Sequence, residues 1–124
     1  MRRLKCQQNI KEHSMYEIEK TIEFSACHML NLDYDSKCNR LHGHNYMVRI
    51  FCRSEELNHS GMVTDFTHIK EELQCFDHND LNRLLGSNPT SEIIAMKICG
   101  MVDNCWKVEV SESRDNKVTY IKEK

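Results

Sequence analysis

The chain has 124 residues, enough for one ordinary domain whose core needs no covalent staples. Hydrophobic residues make up 40% and charged residues 29%, and no apolar run reaches the roughly eighteen residues of a membrane helix. Lys and Arg total 17 against 19 Asp and Glu, a net charge of −2 with the signs interspersed, which argues against a nucleic-acid grip driven by bulk charge.

The basic start "MRRLKC" runs into "QQNIKEHS" instead of an apolar stretch, so no secretory signal is expected. The seven Cys have no framework spacing, which predicts a reduced, cytoplasmic protein without disulfides. Residues 1–14 are polar and aperiodic and read as a loose N-terminal extension, leaving residues 15–124 as a single domain.

From Tyr16 the pattern has period two. Tyr16, Ile18, Ile22, Phe24 and Ala26 share one face, and Glu17, Glu19, Thr21, Glu23 and Ser25 the other, which predicts a half-buried strand ending near His28. A polar loop follows. A second strand is expected from about His42 to Cys52, with His42, His44, Tyr46, Val48 and Ile50 on one face. Ile69, Leu73 and Phe76 predict a helix starting at Thr67 as N-cap. A short turn or helix in "DHNDLNRLLGSN" should end near Gly86. Thr90 is the predicted N-cap of a longer helix carrying Ile93, Ile94, Ile98, Met101 and Val102. Trp106, Val108, Val110 and Glu112 then alternate in a strand, "SRDN" reads as a hairpin turn, and "KVTYIK" closes the chain as a strand. The expected class is α+β: an antiparallel four-stranded sheet with two or three helices on one face, in the order β-β-α-α-β-β. So small a sheet leaves edges that partner copies could cover or extend.

His42 and His44 are two apart on a strand, so their side chains leave the same face. If the first two strands form a hairpin, His28 meets them at one end of the sheet. Three imidazoles with an open fourth position make a catalytic zinc arrangement. On residues alone, unrelated surface histidines and a closed structural zinc with Cys38 as fourth ligand remain alternatives. Cys38 is the candidate reactive thiol, because a neighbouring dication and imidazole favour a thiolate. The cysteines at 27, 52, 75, 99 and 105 read as small packing residues. Asp77-His78 can act as a proton shuttle, or can be a capping carboxylate beside an exposed imidazole. Glu112 falls on the inward phase of its strand, where a carboxylate needs a basic partner or a ligand offering N–H donors. Thr90, Ser91 and Glu92 suit polar ligand atoms at a helix start, or simply cap the helix.

The stretches "YEIEKTIEFSACH", "CNRLHGHNY", "GMVTDF", "FDHNDLN", "NPTSE" and "VEVSES" occur in this order over residues 16–113. Together they resemble the 6-pyruvoyltetrahydropterin synthase / 6-carboxytetrahydropterin synthase family. The resemblance implies a tunnelling fold (T-fold), a hexamer of two stacked trimers, and active sites at subunit interfaces. It implies zinc on His28, His42 and His44, and catalytic roles for Cys38, Asp77 and His78. Glu112, Thr90 and Ser91 would contact the pterin. The three residues between Cys38 and His42, and "NPTSE", are similar to the bacterial 6-carboxytetrahydropterin synthase branch of queuosine synthesis. That branch converts 7,8-dihydroneopterin triphosphate to 6-carboxy-5,6,7,8-tetrahydropterin, acetaldehyde and triphosphate. The pyruvoyl reaction, which eliminates triphosphate without acetaldehyde release, and a non-catalytic zinc-stabilised binding module are the alternatives. Cys27 in place of Ala in "FSAAH", a shortened helix before "FDHNDLN" and "SES" in place of "ET" depart from the family pattern. Lys37, Arg40 and Lys107 are candidates for the triphosphate by position.

Overall fold

A computed structural model describes residues 14–123. Residues 1–13 of the expected N-terminal extension lie outside the described residues. The alternating N-terminal pattern forms β1 (Tyr16–His28), which pairs along its whole length with β2 (His42–Ser54) in an antiparallel hairpin, Tyr16 opposite Ser54 and His28 opposite His42. Helix α1 (Phe66–Leu73) follows, then a two-residue strand β3 (Asn79–Asp80), α2 (Leu81–Leu85) and α3 (Ser91–Met101). Strands β4 (Cys105–Ser113) and β5 (Asn116–Ile121) close the chain around the expected turn at Arg114 and Asp115.

The sheet order is β3-β1-β2-β4-β5. The sheet is therefore five-stranded and mixed, where four antiparallel strands were expected, because β3 joins β1 in parallel at Ala26 and Cys27. Two residues are too few to leave a periodic signature in the sequence, and backbone pairing alone makes the strand.

One face of the sheet and the inner faces of the helices make the core. Phe24, Tyr46, Val48, Ile50, Val108 and Val110 pack against Ile69, Leu73, Phe76, Leu81, Ile94 and Ile98, all buried. Phe24 stacks on both Tyr46 and Phe76, with ring centroids 5.2 and 5.5 Å apart. The opposite face is polar: Arg49 bridges Glu19 on β1 and Glu109 on β4.

Helix α1 begins two residues earlier than expected. Asp65, not Thr67, is the N-cap, and its carboxylate accepts the Thr67 N–H at 2.9 Å. Thr90 caps α3 as expected, accepting the Ile93 N–H at 3.3 Å. Among the cysteines, Cys52, Cys99 and Cys105 are buried in the core, but Cys75 is exposed and Cys27 half-buried, so the packing role does not extend to those two. Cys75 ends up outside because a 3₁₀ turn (Gln74–Phe76) follows α1 and directs Phe76 inward in its place.

Candidate active site and metal centre

The full hairpin register brings three imidazoles to one end of the core face. His28 and His42 face each other as the last residue pair, and His44 follows on the same side of β2. Their ligand nitrogens all lie within 4.8 Å of one another. Ring centroids are 4.6 to 5.2 Å apart, and the rings stand edge to face. His28 is buried; the other two are partly open.

Backbone carbonyls fix two of the tautomers. His28 Nδ1 lies 2.8 Å from the Pro89 carbonyl, and His42 Nδ1 lies 2.7 Å from the Arg40 carbonyl. Each Nδ1 therefore carries the proton and donates it. That leaves both Nε2 atoms as acceptors, facing each other at 3.1 Å. Two lone pairs at that separation repel unless a cation lies between them. Tetrahedral zinc–nitrogen bonds of about 2.0–2.1 Å put ligand nitrogens about 3.3 Å apart, so the spacing matches a shared ion. The carbonyls are the outer hydrogen-bond partners that metal-bound histidines usually have. Burial is the main influence on His44 and lowers its pKa, with Glu112 opposing, so this imidazole too favours the neutral form a metal needs. The residues present thus fit a zinc-like ion.

Tyr46 forms the floor. Its hydroxyl lies 3.3 Å from both His28 ring nitrogens, and burial pushes its pKa up, so it stays protonated. Tyr46 was legible as a core-face residue two after His44, but nothing in the sequence marked its contact with His28.

Cys38 sits in a 3₁₀ turn (Lys37–Asn39) whose N-cap, Ser36, accepts the Cys38 N–H at 3.1 Å. A cavity of about 590 Å³ is lined by Cys38, His28, His42, His44, Glu112, Lys37 and Arg40. Lys107 does not join them: it lies over the Phe51 ring at 4.4 Å and near Glu109 on the far face of the sheet. Its place on β4 two residues before Glu109 gives it the outward phase, which settles its side.

Glu112 lies where the β4–β5 register shifts between Val110 and Ser113. The residue nonetheless keeps the inward phase of Val108 and Val110, as the alternation predicts, so its side chain faces His44. Its Oε2 is 3.7 Å from His44 Nε2 and accepts the Ser91 hydroxyl at 3.3 Å. Glu112, Thr90 and Ser91 also line a neighbouring cavity of about 430 Å³ with His28 and Lys117. The Thr90 hydroxyl is engaged in capping, whereas Ser91 is turned toward Glu112.

Asp77 and His78 stand apart. They are clamped to β1: Ser25 N–H donates to Asp77 Oδ1 at 3.0 Å, and His78 N–H donates to the Ser25 carbonyl at 2.6 Å. The Asp77 Oδ2 to His78 Nδ1 distance is 3.0 Å. The Ser25 hydrogen bond is the largest cause of a lowered Asp77 pKa, with His78 contributing. His78 has φ +54°, a left-handed conformation uncommon for a non-glycine residue, and its ring is 83% exposed. It lines a different cavity, of about 590 Å³, together with Cys27, Asn45, Asp80 and Arg83. Within one chain the structure does not bring the Asp-His pair and Cys38 into one cavity.

A family model described as 6-pyruvoyl tetrahydropterin synthase matches residues 17–123. The chain is 35% identical to the 6-carboxy-5,6,7,8-tetrahydropterin synthase of Synechocystis, an alignment covering 86% of this chain and 93% of that one. A shorter match, 48% identical, relates 47% of this chain to 36% of a putative 6-carboxy-5,6,7,8-tetrahydropterin synthase of Pyrococcus horikoshii, about a third of that protein's length. The solved 6-pyruvoyl tetrahydropterin synthase of Caenorhabditis elegans is similar with a TM-score of 0.72 at 28% identity, covering 90% of this chain and 99% of that one. The fold is therefore the T-fold. Because the match runs from the first strand to the last, and a solved relative shares that architecture throughout, the chain belongs to the 6-pyruvoyl tetrahydropterin synthase family.

Proposed function

We propose that this chain is a zinc-dependent 6-carboxytetrahydropterin synthase. It converts 7,8-dihydroneopterin triphosphate to 6-carboxy-5,6,7,8-tetrahydropterin, acetaldehyde and triphosphate, in the cytoplasm, on the route to queuosine-type 7-deazapurines. The observation that carries the reading is the cavity shared by Cys38 and three convergent imidazoles, two of which, His28 and His42, have tautomers that leave their Nε2 acceptors facing each other. The Synechocystis relative, which covers 86% of the chain and is named for the carboxy product, supports this branch.

His28, His42 and His44 would hold the ion, which when bound supplies Lewis-acid polarisation of the substrate's side-chain oxygens. Cys38 Sγ, at the wall of that cavity, accepts a proton from the substrate side chain. Glu112 accepts the N–H edge of the pterin ring, and Ser91, hydrogen-bonded to the same carboxylate, holds it in place. Thr90 shapes the polar helix start beside the ring. Lys37 and Arg40 line the mouth and suit the triphosphate. His78 returns a proton through Nε2, because Asp77 occupies its Nδ1.

That last role needs a second copy of the chain. Asp77 and His78 face another cavity, and β1 from Tyr16 to Ser25 has no described strand on its outer edge, nor has β5. Edge-to-edge association into a ring, and a hexamer of two such rings, would carry one copy's Asp-His pair to another copy's Cys38. Residues 15–124 form the one domain this assembly uses.

The test is incubation of zinc-loaded protein with 7,8-dihydroneopterin triphosphate and product identification by mass spectrometry. Acetaldehyde and the 6-carboxy product are expected. A 6-pyruvoyl product without acetaldehyde would assign the other branch, for which the name of the similar nematode structure speaks. Absence of turnover in the metal-loaded oligomer would leave a zinc-stabilised binding module.

A further inference from the structure

The loop between β1 and β2 carries Cys38, yet no described strand pairs with it. Two asparagine side chains do what a strand would. On α2, Asn82 Oδ1 accepts the Met29 N–H at 2.8 Å and Asn82 Nδ2 donates to the Met29 carbonyl at 2.8 Å. Six residues on, Asn88 Oδ1 accepts the Asn31 N–H at 2.6 Å and Nδ2 donates to the Asn31 carbonyl at 3.4 Å. Met29 and Asn31 are two apart, so in extended backbone their polar groups leave the same edge. Leu30, between them, presents the opposite edge, and its N–H donates to the Cys38 carbonyl at 2.8 Å.

The segment 29–31 is thus held from one side by two amides and holds Cys38 on the other. Pro89, next to Asn88, supplies the carbonyl that fixes the His28 tautomer. Asn82 is itself anchored at the end of α2, where its Nδ2 reaches the Gly86 carbonyl at 3.2 Å. A carboxamide is the side chain that offers a donor and an acceptor side by side in this way. Neither asparagine touches the cavity that holds Cys38.

We propose that Asn82 and Asn88 are positioning residues, a two-point clamp that sets the Cys38 loop against the three histidines. The proposal rests on Cys38 being the reacting thiol. Misplacement of a reacting group by about 1 Å can cost on the order of 10²-fold in rate, so the clamp has leverage without contacting substrate.

The test compares the zinc-loaded native protein with Asn82→Leu, Asn88→Leu and the double variant. Two readouts are independent of activity. One is the iodoacetamide alkylation rate of Cys38, resolved by peptide mass mapping with exposed Cys75 as internal reference. The other is the visible spectrum of the cobalt(II)-substituted protein, which reports the histidine set. The clamp predicts a Cys38 alkylation rate changed by at least about threefold, an unchanged Cys75 rate, a retained cobalt spectrum, and kcat lowered about 10- to 100-fold with KM little changed. Where a leucine variant fails to fold, Asn82→Asp and Asn88→Asp keep the acceptor and lose the donor, and are expected to show the same changes at smaller amplitude. Native Cys38 alkylation in folded variants would overturn the clamp, whatever the activity. Loss of the cobalt spectrum together with a general rise in alkylation would also overturn it, showing ordinary structural support. A changed Cys38 rate in a protein whose native form turns over no pterin would uphold the clamp and refute the reaction.

Discussion

Two histidine regions lie near the same end of this sheet and differ in nearly every physical respect. His28, His42 and His44 converge on the core face; carbonyls hold the outer nitrogens of His28 and His42 and leave their inner nitrogens as facing acceptors, while His44 lies beside Glu112. Asp77 and His78 lie at the edge, held by their backbone to Ser25, with the imidazole in solvent. The first region lies within one chain, at a spacing that fits an ion. The second lines a separate cavity with Cys27, Asn45, Asp80 and Arg83. If the first holds the metal and the second serves another copy's Cys38, as proposed, the difference predicts which variants act alone and which can be rescued.

The sharpest break is at the metal. His42→Ala removes one of the two facing acceptors, and elemental analysis should find zinc falling from about one per chain to near none. Stoichiometric zinc in that variant would dissolve the contrast. Cys38→Ala should keep the ion and the fold while turnover falls about 10²- to 10⁴-fold, measured as acetaldehyde release. His78→Ala should also keep the ion and lose about 10²-fold or more. If the relay comes from another copy, as proposed, mixing and reassembling Cys38→Ala with His78→Ala should restore activity to about a quarter of native, the share of sites assembled from two intact halves. No recovery in verified mixed oligomers would place both residues of each site in one chain. Thr90→Ala tests the neighbouring helix start, and loss of its cap should lower stability by about 1 kcal/mol in denaturant unfolding with little change in metal content.

The smallest effect concerns pH. Asp77 has a lowered pKa, so its bond with the Ser25 N–H contributes stability above the ordinary carboxylate range. That contribution is lost only as pH falls through the lower folded value. The Ser25 amide resonance should therefore move at a more acidic pH than an unperturbed Asp would give. A shift at the ordinary value would show that the edge pair is not held.

Much of this was readable in the chain itself. Period two in 16–28 and 42–52 predicts two strands, and once they pair as a hairpin, which the sequence left as a condition, His28 meets His42. Thr90 is marked as a cap by its chemistry and spacing. What stayed hidden depends on backbone geometry that no side-chain pattern records. The two-residue β3 exists only by pairing with Ala26 and Cys27. The tautomers of His42 and His28 are set by carbonyls of Arg40 and Pro89. Asp65 took the cap from Thr67 because two good capping residues stood two apart and only the backbone chose between them. Nothing in the sequence singles out Asn82 and Asn88, because a side-chain amide pairing with main chain has no sequence period.

X-ray absorption at the zinc edge of the loaded protein probes the central claim most directly. Three imidazole nitrogens at about 2.0–2.1 Å, an additional light oxygen or nitrogen scatterer and no sulfur are the predicted shell. A sulfur scatterer at about 2.3 Å would make Cys38 a ligand and the site a closed structural one, contradicting the account.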